Sequence, residues 1–576
     1  MNTNALLSEL RDVLHAPGHR SWRRLARLLG ALPDDSGAQQ LAMDYAREHL
    51  QRWPWRLRVA LPGWLDEALA TGRAPAPLRL AASLTLGEVH DPGLPRVLAQ
   101  IDDLRGLDFV SVHIDLVLQV LRERPERWRL EHLGLGRVTT PPQEQRRWLE
   151  RVCAVAPPVR SLHVWGAPRP RRTRRSPPRR LPRQVLRWGS LEPLGDSSLL
   201  EHLDALQVGF MSELSQVAAM PFKHLKRLAL HGLTPESEKV SEAVARAPAL
   251  ADLEWLELTE CHLLGQDVVA LSRSPNLQRL KVLSLAGNPI GTRGVRELAQ
   301  GPLAGLEALD LSGCELEGAG GVDALGDAPF IERLRVLAMR DNALSEKALE
   351  RLGRDAAFQG LQGALLKDAL APAARPWRWP GDSPLRLEVL EVAAARGGSP
   401  EIVRSVAALS QTLRALDLSG HGIGEVGCMD LCRRAWPELR LLRLREAGIT
   451  GSAASHFIDG LERFPRLEAL ILRDNRVSKG VAAHLAASAA SRVSALDLDQ
   501  NRLSSGLQRD IHARCGAPPE PALTIGRRGG VRRFNLLPDL DRDLRLVEEP
   551  GADALWGEQH PAPFRQAGFP TIERRR

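Results

Sequence analysis

The chain has 576 residues, 78 Lys and Arg against 70 Asp and Glu, a formal net charge of +8 and only six cysteines. That cysteine content excludes a disulfide-framed scaffold, and no run of about 18 apolar residues is present to make a membrane-spanning helix. Charges in Met1-Asn-Thr-Asn-Ala-Leu-Leu-Ser-Glu-Leu-Arg occupy the place of a signal peptide's apolar stretch, so a soluble, cytoplasmic protein is expected, and the Ala, Arg and Leu bias suggests a GC-rich bacterial genome.

Residues 1–77 read as a helical N-terminal capping region. Leu6, Leu7, Leu10, Val13 and Leu14 sit at helical spacing, as do Trp22, Leu25, Leu28 and Leu29, while Trp53, Trp55 and Trp64 supply bulk for a small core.

From residue 78 to 505 one pattern recurs, L-x-x-L-x-L-x-x-N/C-x-L. Its clearest copies begin at Leu280, Leu306, Leu334 and Leu467, and the first three starts lie 26 and 28 residues apart. Degenerate copies begin at Leu104, Leu130, Val159, Leu203, Leu225, Leu253, Leu361, Leu387, Leu413, Leu439 and Val493, with an earlier copy near Leu78 or Leu80 in unclear register. The L-x-L alternation predicts a short strand, and the Asn or Cys turns the chain and bonds backbone groups left over at the bend. A helix then returns the chain, with Ser345 and Ser478 placed to cap two of them. About fifteen such units, each hiding its apolar face only against its neighbours, predict a solenoid.

The motif and period resemble the ribonuclease-inhibitor-like class of leucine-rich repeats, in which Cys at the turn position, here Cys261 and Cys314, is typical. The resemblance covers roughly residues 100–505. It implies an α/β horseshoe with a parallel β-sheet on the concave face and helices on the convex face, a fold that serves many partners.

Two insertions break the array. Residues 168–183 carry eight arginines, among them Arg171, Arg172, Arg174, Arg175, Arg179 and Arg180, and no acid, so this segment alone matches the chain's net charge. It reads either as a tether for nucleic acid or another polyanion, within a loop spanning 168–187, or as a solvated basic loop. Residues 371–384 hold Trp377 and Trp379 among prolines, either as a contact hot spot or folded back into the gap left by a missing helix. Residues 506–576 read as a C-terminal cap, ending a helix near Cys515, followed by a loosely packed tail.

Positions 3, 5, 7 and 8 of each unit face the concave side. Over the fifteen copies those columns hold twelve acids against seven Arg or Lys, so charge is segregated away from the basic total. The candidate partner-binding residues are Trp165, Phe210, Trp255, Glu257, Asp310, Glu391, Asp417, Arg443 and Asp497. Trp255, ringed by Glu257, Thr259 and Glu260, is the best anchor. Asp in the Leu-Asp-Leu context of Asp310, Asp417 and Asp497 reads equally well as a consensus residue of the repeat.

Cys428-Met-Asp430 has the C-x-D form used by one family of bacterial leucine-rich-repeat ubiquitin ligases, but it falls inside a return helix. Cys428, Cys432 and His421 lack a fourth zinc ligand, and no phosphate loop, H-E-x-x-H or G-x-S-x-G occurs. A non-catalytic scaffold is therefore expected, monomeric, without cofactor or metal, binding a protein partner of basic character. A nucleic-acid-associated protein held by the arginine loop is the alternative.

Overall fold

The computed structural model describes residues 3–515 except 16, 18, 35, 61, 88–90, 111, 137–141, 166–190, 210–214, 232–239, 371–377, 394–398, 491 and 494. The chain divides into two compact units, Met1–Ala243 and Val244–Glu520. The part of the expected C-terminal cap beyond Cys515 and the tail lie outside the described residues.

The first unit opens with helices Thr3–Leu14, His19–Gly30 and Gly37–Leu50. Leu10, Val13, Leu14, Trp22, Leu25 and Leu29 are buried, as their spacing predicts. Two indoles lock the helices in place. Trp22 donates to the Val59 carbonyl at 2.8 Å and Trp53 to the Leu14 carbonyl at 3.0 Å. Residues 58–60 then run beside the first strand. Val59 bridges Ser83, the Ala60 N–H donates to the Ser83 carbonyl, and the Ala82 and Ser83 N–H groups donate to the Arg58 carbonyl. Backbone groups that an edge strand would leave open are covered in this way.

Six parallel strands follow in this unit, Ser83–Gly87, Gly106–Val110, His132–Gly136, Ser161–Trp165, Ala205–Gly209 and Arg227–His231. Each pairs with the next in chain order, with Leu84, Leu107, Leu133, Leu162, Leu206 and Leu228 aligned across the sheet and all buried. Pairing of Leu84 with Leu107 starts the earliest copy at Ala81, and so resolves the register that Leu78 and Leu80 left open.

Among the described residues the main sheet of the second unit holds ten parallel strands in the same sequential order, from Trp255–Thr259 and Val282–Ser284 to Ala469–Ile471 and Ala495–Asp497. Most are three residues long because the chain turns immediately after them. Helices return it, and Glu346–Arg354 is representative: Ser345 Oγ accepts the Ala348 N–H at 3.3 Å, and Ala348, Leu349 and Leu352 point inward. Ser478 stands at the start of Lys479–Ala489 with extended backbone, yet its hydroxyl makes no capping bond.

The turn has a recurring construction among the described residues of this unit. The residue before the Asn/Cys position is left-handed, with φ between 51° and 77° at Glu260, Gly287, Gly313, Asp341, Asp368, Gly420, Glu446, Asp474 and Gln500. In six of these nine turns the next side chain donates to a carbonyl of the preceding repeat, the one at the last inward strand position, while Ala369 and Ala447 hold the same place without a polar group. Asn288 reaches Leu258 at 2.6 Å, Asn342 reaches Leu311 at 3.0 Å, Asn475 reaches Leu444 at 2.7 Å and Asn501 reaches Leu472 at 2.8 Å. The Cys314 thiol does the same to Leu285 at 3.2 Å, and His421 Nε2 to Val392 at 2.6 Å. These carbonyls fall where strand pairing stops, so without the side chain they would be buried and unpaired.

His421 brings a titratable ring into that spine. Burial pushes its imidazole below the ordinary value, against the Val392 carbonyl bond and the charges of Asp417 and Asp368, which favour protonation. A histidine that refuses its proton when folded costs nothing above its unfolded value near 6.5, and costs stability as pH falls below it, because only the unfolded chain then takes the proton. His421→Asn keeps a donor for Val392 and removes the titration. The stability of His421→Asn relative to wild type should therefore rise on going from pH 7.5 to 5.5, by up to about 1.4 kcal/mol per pH unit. Urea unfolding at both pH values reads it, and an unchanged difference would show that the ring does not titrate with folding.

Candidate functional site

Alternation along each strand sends the two leucines toward the helices and the residues between them to the opposite sheet face. In the second unit the third-position column on that face is apolar. Trp255, Val282, Ala308, Val336, Val389, Ala415, Leu441, Ala469 and Ala495 join Ala338, Leu365 and Ile471 in one buried cluster. Beside it the fifth-position column carries the acids named in the sequence.

Those acids have bonds within the fold. Asp310, Asp417 and Asp497 each accept the N–H two residues on, from Ser312, Ser419 and Asp499, at 2.8–2.9 Å. The serines hold the next repeat in turn, Ser312 Oγ accepting the Arg340 N–H at 3.2 Å and Ser419 Oγ the Arg445 N–H at 3.1 Å. Strand register sets Asp417 beside Arg443, and they pair at 3.1 Å with both side chains buried. Arg340 reaches Glu391 two strands away at 2.6 Å. Burial pushes the Glu391 carboxyl up, with Asp417 adding to the rise and Arg340 opposing it.

The sequence placed these side chains on an open surface, but the structure buries Glu391, Asp417, Arg443 and Asp497 to 0–3% exposure. Neighbouring strands stand only about 4.8 Å apart, so long polar side chains in one column lie against each other. Glu257 and Asp310 remain half-buried. Trp255 is 8% exposed, and its indole N–H donates to Glu257 Oε1 at 2.6 Å. The eighth-position acids Glu260, Asp341, Asp368, Glu446 and Asp474 sit at the left-handed turn.

Trp165 closes the strand Ser161–Trp165. Phe210, Trp377 and Arg171, Arg172, Arg174, Arg175, Arg179 and Arg180 lie outside the described residues. Trp379 is buried, its backbone N–H donates to Ser405 Oγ at 3.0 Å, and the adjoining Pro380 packs on Gly353.

The first unit presents a different chemistry on its sheet face. Asp108, His132 and His163 come from three successive strands, and one ligand atom from each lies within 4.8 Å of the others. His132 Nε2 is 2.9 Å from Asp108 Oδ1, and His132 Nδ1 is 3.2 Å from Ser161 Oγ. The rings of His132 and His163 meet edge to face with centroids 4.4 Å apart. Burial, reinforced by His132 and His231, pushes the His163 imidazole well below its ordinary value, and burial does the same to His231. Asp108 and His163 were legible only as members of the fifth-position column, and His132 only as a member of the third.

The described leucine-rich-repeat family model, "Leucine Rich repeat", matches residues 276–299 and 409–432, which contain the turn residues Asn288 and His421. Register, turn spine and family match agree. This chain has the α/β leucine-rich-repeat solenoid fold. The repeat chain is 27% identical to the ribonuclease inhibitor of Sus scrofa over 235 residues, 39% of this chain and 46% of that protein. It is 35% identical to leucine-rich repeat-containing protein 14 of Homo sapiens over 113 residues, 19% of this chain and 22% of that one. The matched stretches thus span less than half of either relative. Among solved structures, one in a crystal structure of the Rad7 and Elc1 complex in yeast is similar with a TM-score of 0.34 at 14% identity, covering 53% of this chain and 70% of that chain. Among the described residues no helix is long and apolar enough to cross a membrane.

Proposed function

We propose that the repeat chain is a non-catalytic scaffold that binds a protein partner through the sheet face of its second unit. The observation that carries this reading is the ten-strand register, which sets an apolar column beside a column in which five of ten residues are acids, on one face. Asp310, Asp417 and Asp497 are held by backbone N–H groups, and Glu257, Glu391 and Arg443 by neighbouring side chains, so these polar groups are ordered before any partner arrives and binding has less ordering entropy to overcome. The acids Glu257 and Asp310, both half-buried, suit a partner of basic character and would speed its capture. A bacterial source and a cytoplasmic location belong to the same reading, supported by the Ala, Arg and Leu bias and the low cysteine count, and a monomeric state is part of the proposal.

The test is affinity capture from lysate of the source organism, followed by binding measurements with the purified partner. Glu257→Lys with Asp310→Asn should weaken that complex at least about tenfold, since loss of a central contact commonly costs 1–2 kcal/mol. The Asn substitution retains an acceptor for the Ser312 N–H, so thermal unfolding serves as the folding control. Deletion of residues 168–187 should leave the complex intact. Recovery of nucleic acid that is lost on that deletion and at moderate salt would favour the arginine-loop tether instead.

A further inference from the structure

The face of the first unit carries a constellation that scaffold function does not use. The middle of three neighbouring strands, His132–Gly136, reads His-Leu-Gly-Leu-Gly, so its outward positions are His132, Gly134 and Gly136. Register places Gly134 directly between Asp108 and His163. A Cβ on Gly134 would collide with the Asp108 carboxylate, which lies over this glycine. The missing side chain is therefore what lets an acid from one flanking strand reach the imidazole of the middle strand, with a second imidazole arriving from the other side. Both imidazoles are buried at 1–2% exposure, and Asp108 is half-buried.

We propose that Asp108, His132 and His163 form a binding site for a first-row divalent metal ion of the zinc class. Two imidazoles and one carboxylate are a donor set this class accepts, and with their ligand atoms already within 4.8 Å of one another small side-chain shifts would bring all three onto one ion bound at about 2.0–2.2 Å. His132 is already oriented for the task. With Nε2 given to the metal, Nδ1 carries the proton and donates to Ser161 Oγ, the kind of outer hydrogen bond that fixes the tautomer of a metal-bound histidine. Metal would replace the proton now shared between His132 Nε2 and Asp108 Oδ1. Three protein ligands leave at least one coordination position for water or a further donor. This site is independent of the partner-binding reading, since it lies in the other unit.

Equilibrium dialysis of the full chain against Zn2+, after treatment with a chelator, should give one equivalent bound. Co2+ in its place should give a visible spectrum of nitrogen and oxygen ligation. His132→Ala and His163→Ala should each weaken uptake more than about 100-fold, and Ser161→Ala about tenfold. Asp108→Asn keeps an acceptor for His132 and is the variant expected to fold normally while losing the metal. Gly134→Ala should mimic it by displacing the carboxylate. Zn2+ should raise the unfolding temperature of wild type and not that of Asp108→Asn. Uptake below about 0.1 equivalent, a thiolate-to-cobalt charge-transfer band, or affinity unchanged in Asp108→Asn and both histidine variants would each overturn the proposal.

Discussion

Asn288→Ala should destabilise the second unit by about 3 kcal/mol, at the top of the common range for a single substitution. Asn288 is fully buried, and its amide makes five bonds. Its Oδ1 accepts the N–H groups of Cys261 at 2.8 Å and Leu263 at 3.1 Å, and its Nδ2 donates to the carbonyls of Leu258, Leu285 and Ala286. Alanine leaves two N–H groups and the Leu258 carbonyl without the side chain that serves them, and each buried polar group stranded in this way costs about 1–3 kcal/mol before relaxation and entering water reduce the sum. Chemical denaturation gives the total. Hydrogen exchange localises it, with the Cys261 and Leu263 amides expected to lose protection first. A loss under about 1 kcal/mol with those amides still protected would mean that the turn holds without its spine.

Trp379→Ala should cost about 3–5 kcal/mol, the range for emptying a buried aromatic site. Its side chain is 1% exposed and among the largest fully buried groups. The chain around it occupies the place where other repeats of the unit carry a return helix. Ser383 Oγ donates to the Gly353 carbonyl at 2.6 Å, and a Cβ on Gly353 would stand 2.7 Å from Pro380 Cγ. Gly353→Ala should therefore destabilise through the same packing, by about 1–3 kcal/mol, because a proline ring has little freedom to yield. The expected pattern is lowered stability with partner affinity unchanged at temperatures where the protein is folded. Weakened binding with unchanged stability would instead place Trp379 at an interface, the other role its sequence context allowed.

Much of the second unit could be read from residues alone. Leucines recur at fixed offsets because each repeat must hide the same strand and the same helix face. The Asn/Cys position follows because every turn leaves the same carbonyl over. Leu-Asp-Leu belongs to this grammar as well, since Asp310, Asp417 and Asp497 each close the same local turn onto an N–H two residues on. What could not be read is which of those face residues stay open. Glu391 finds Arg340 across an intervening strand, 51 positions away in the chain, and no local pattern reports that approach.

Period, strand alternation and turn chemistry are properties of short windows, so the amino-acid sequence by itself determined the leucine-rich-repeat fold, the position of nearly every repeat and the helical character of the N-terminal region. Lateral register was decided only in three dimensions. It set the first repeat at Ala81 through the pairing of Leu84 with Leu107, buried the ion pair of Asp417 with Arg443, and gathered Asp108, His132 and His163 around the space above Gly134. The reason is physical: strands about 4.8 Å apart bring together side chains separated by 24 to 31 residues of helix and loop, whose lengths vary without changing the motif.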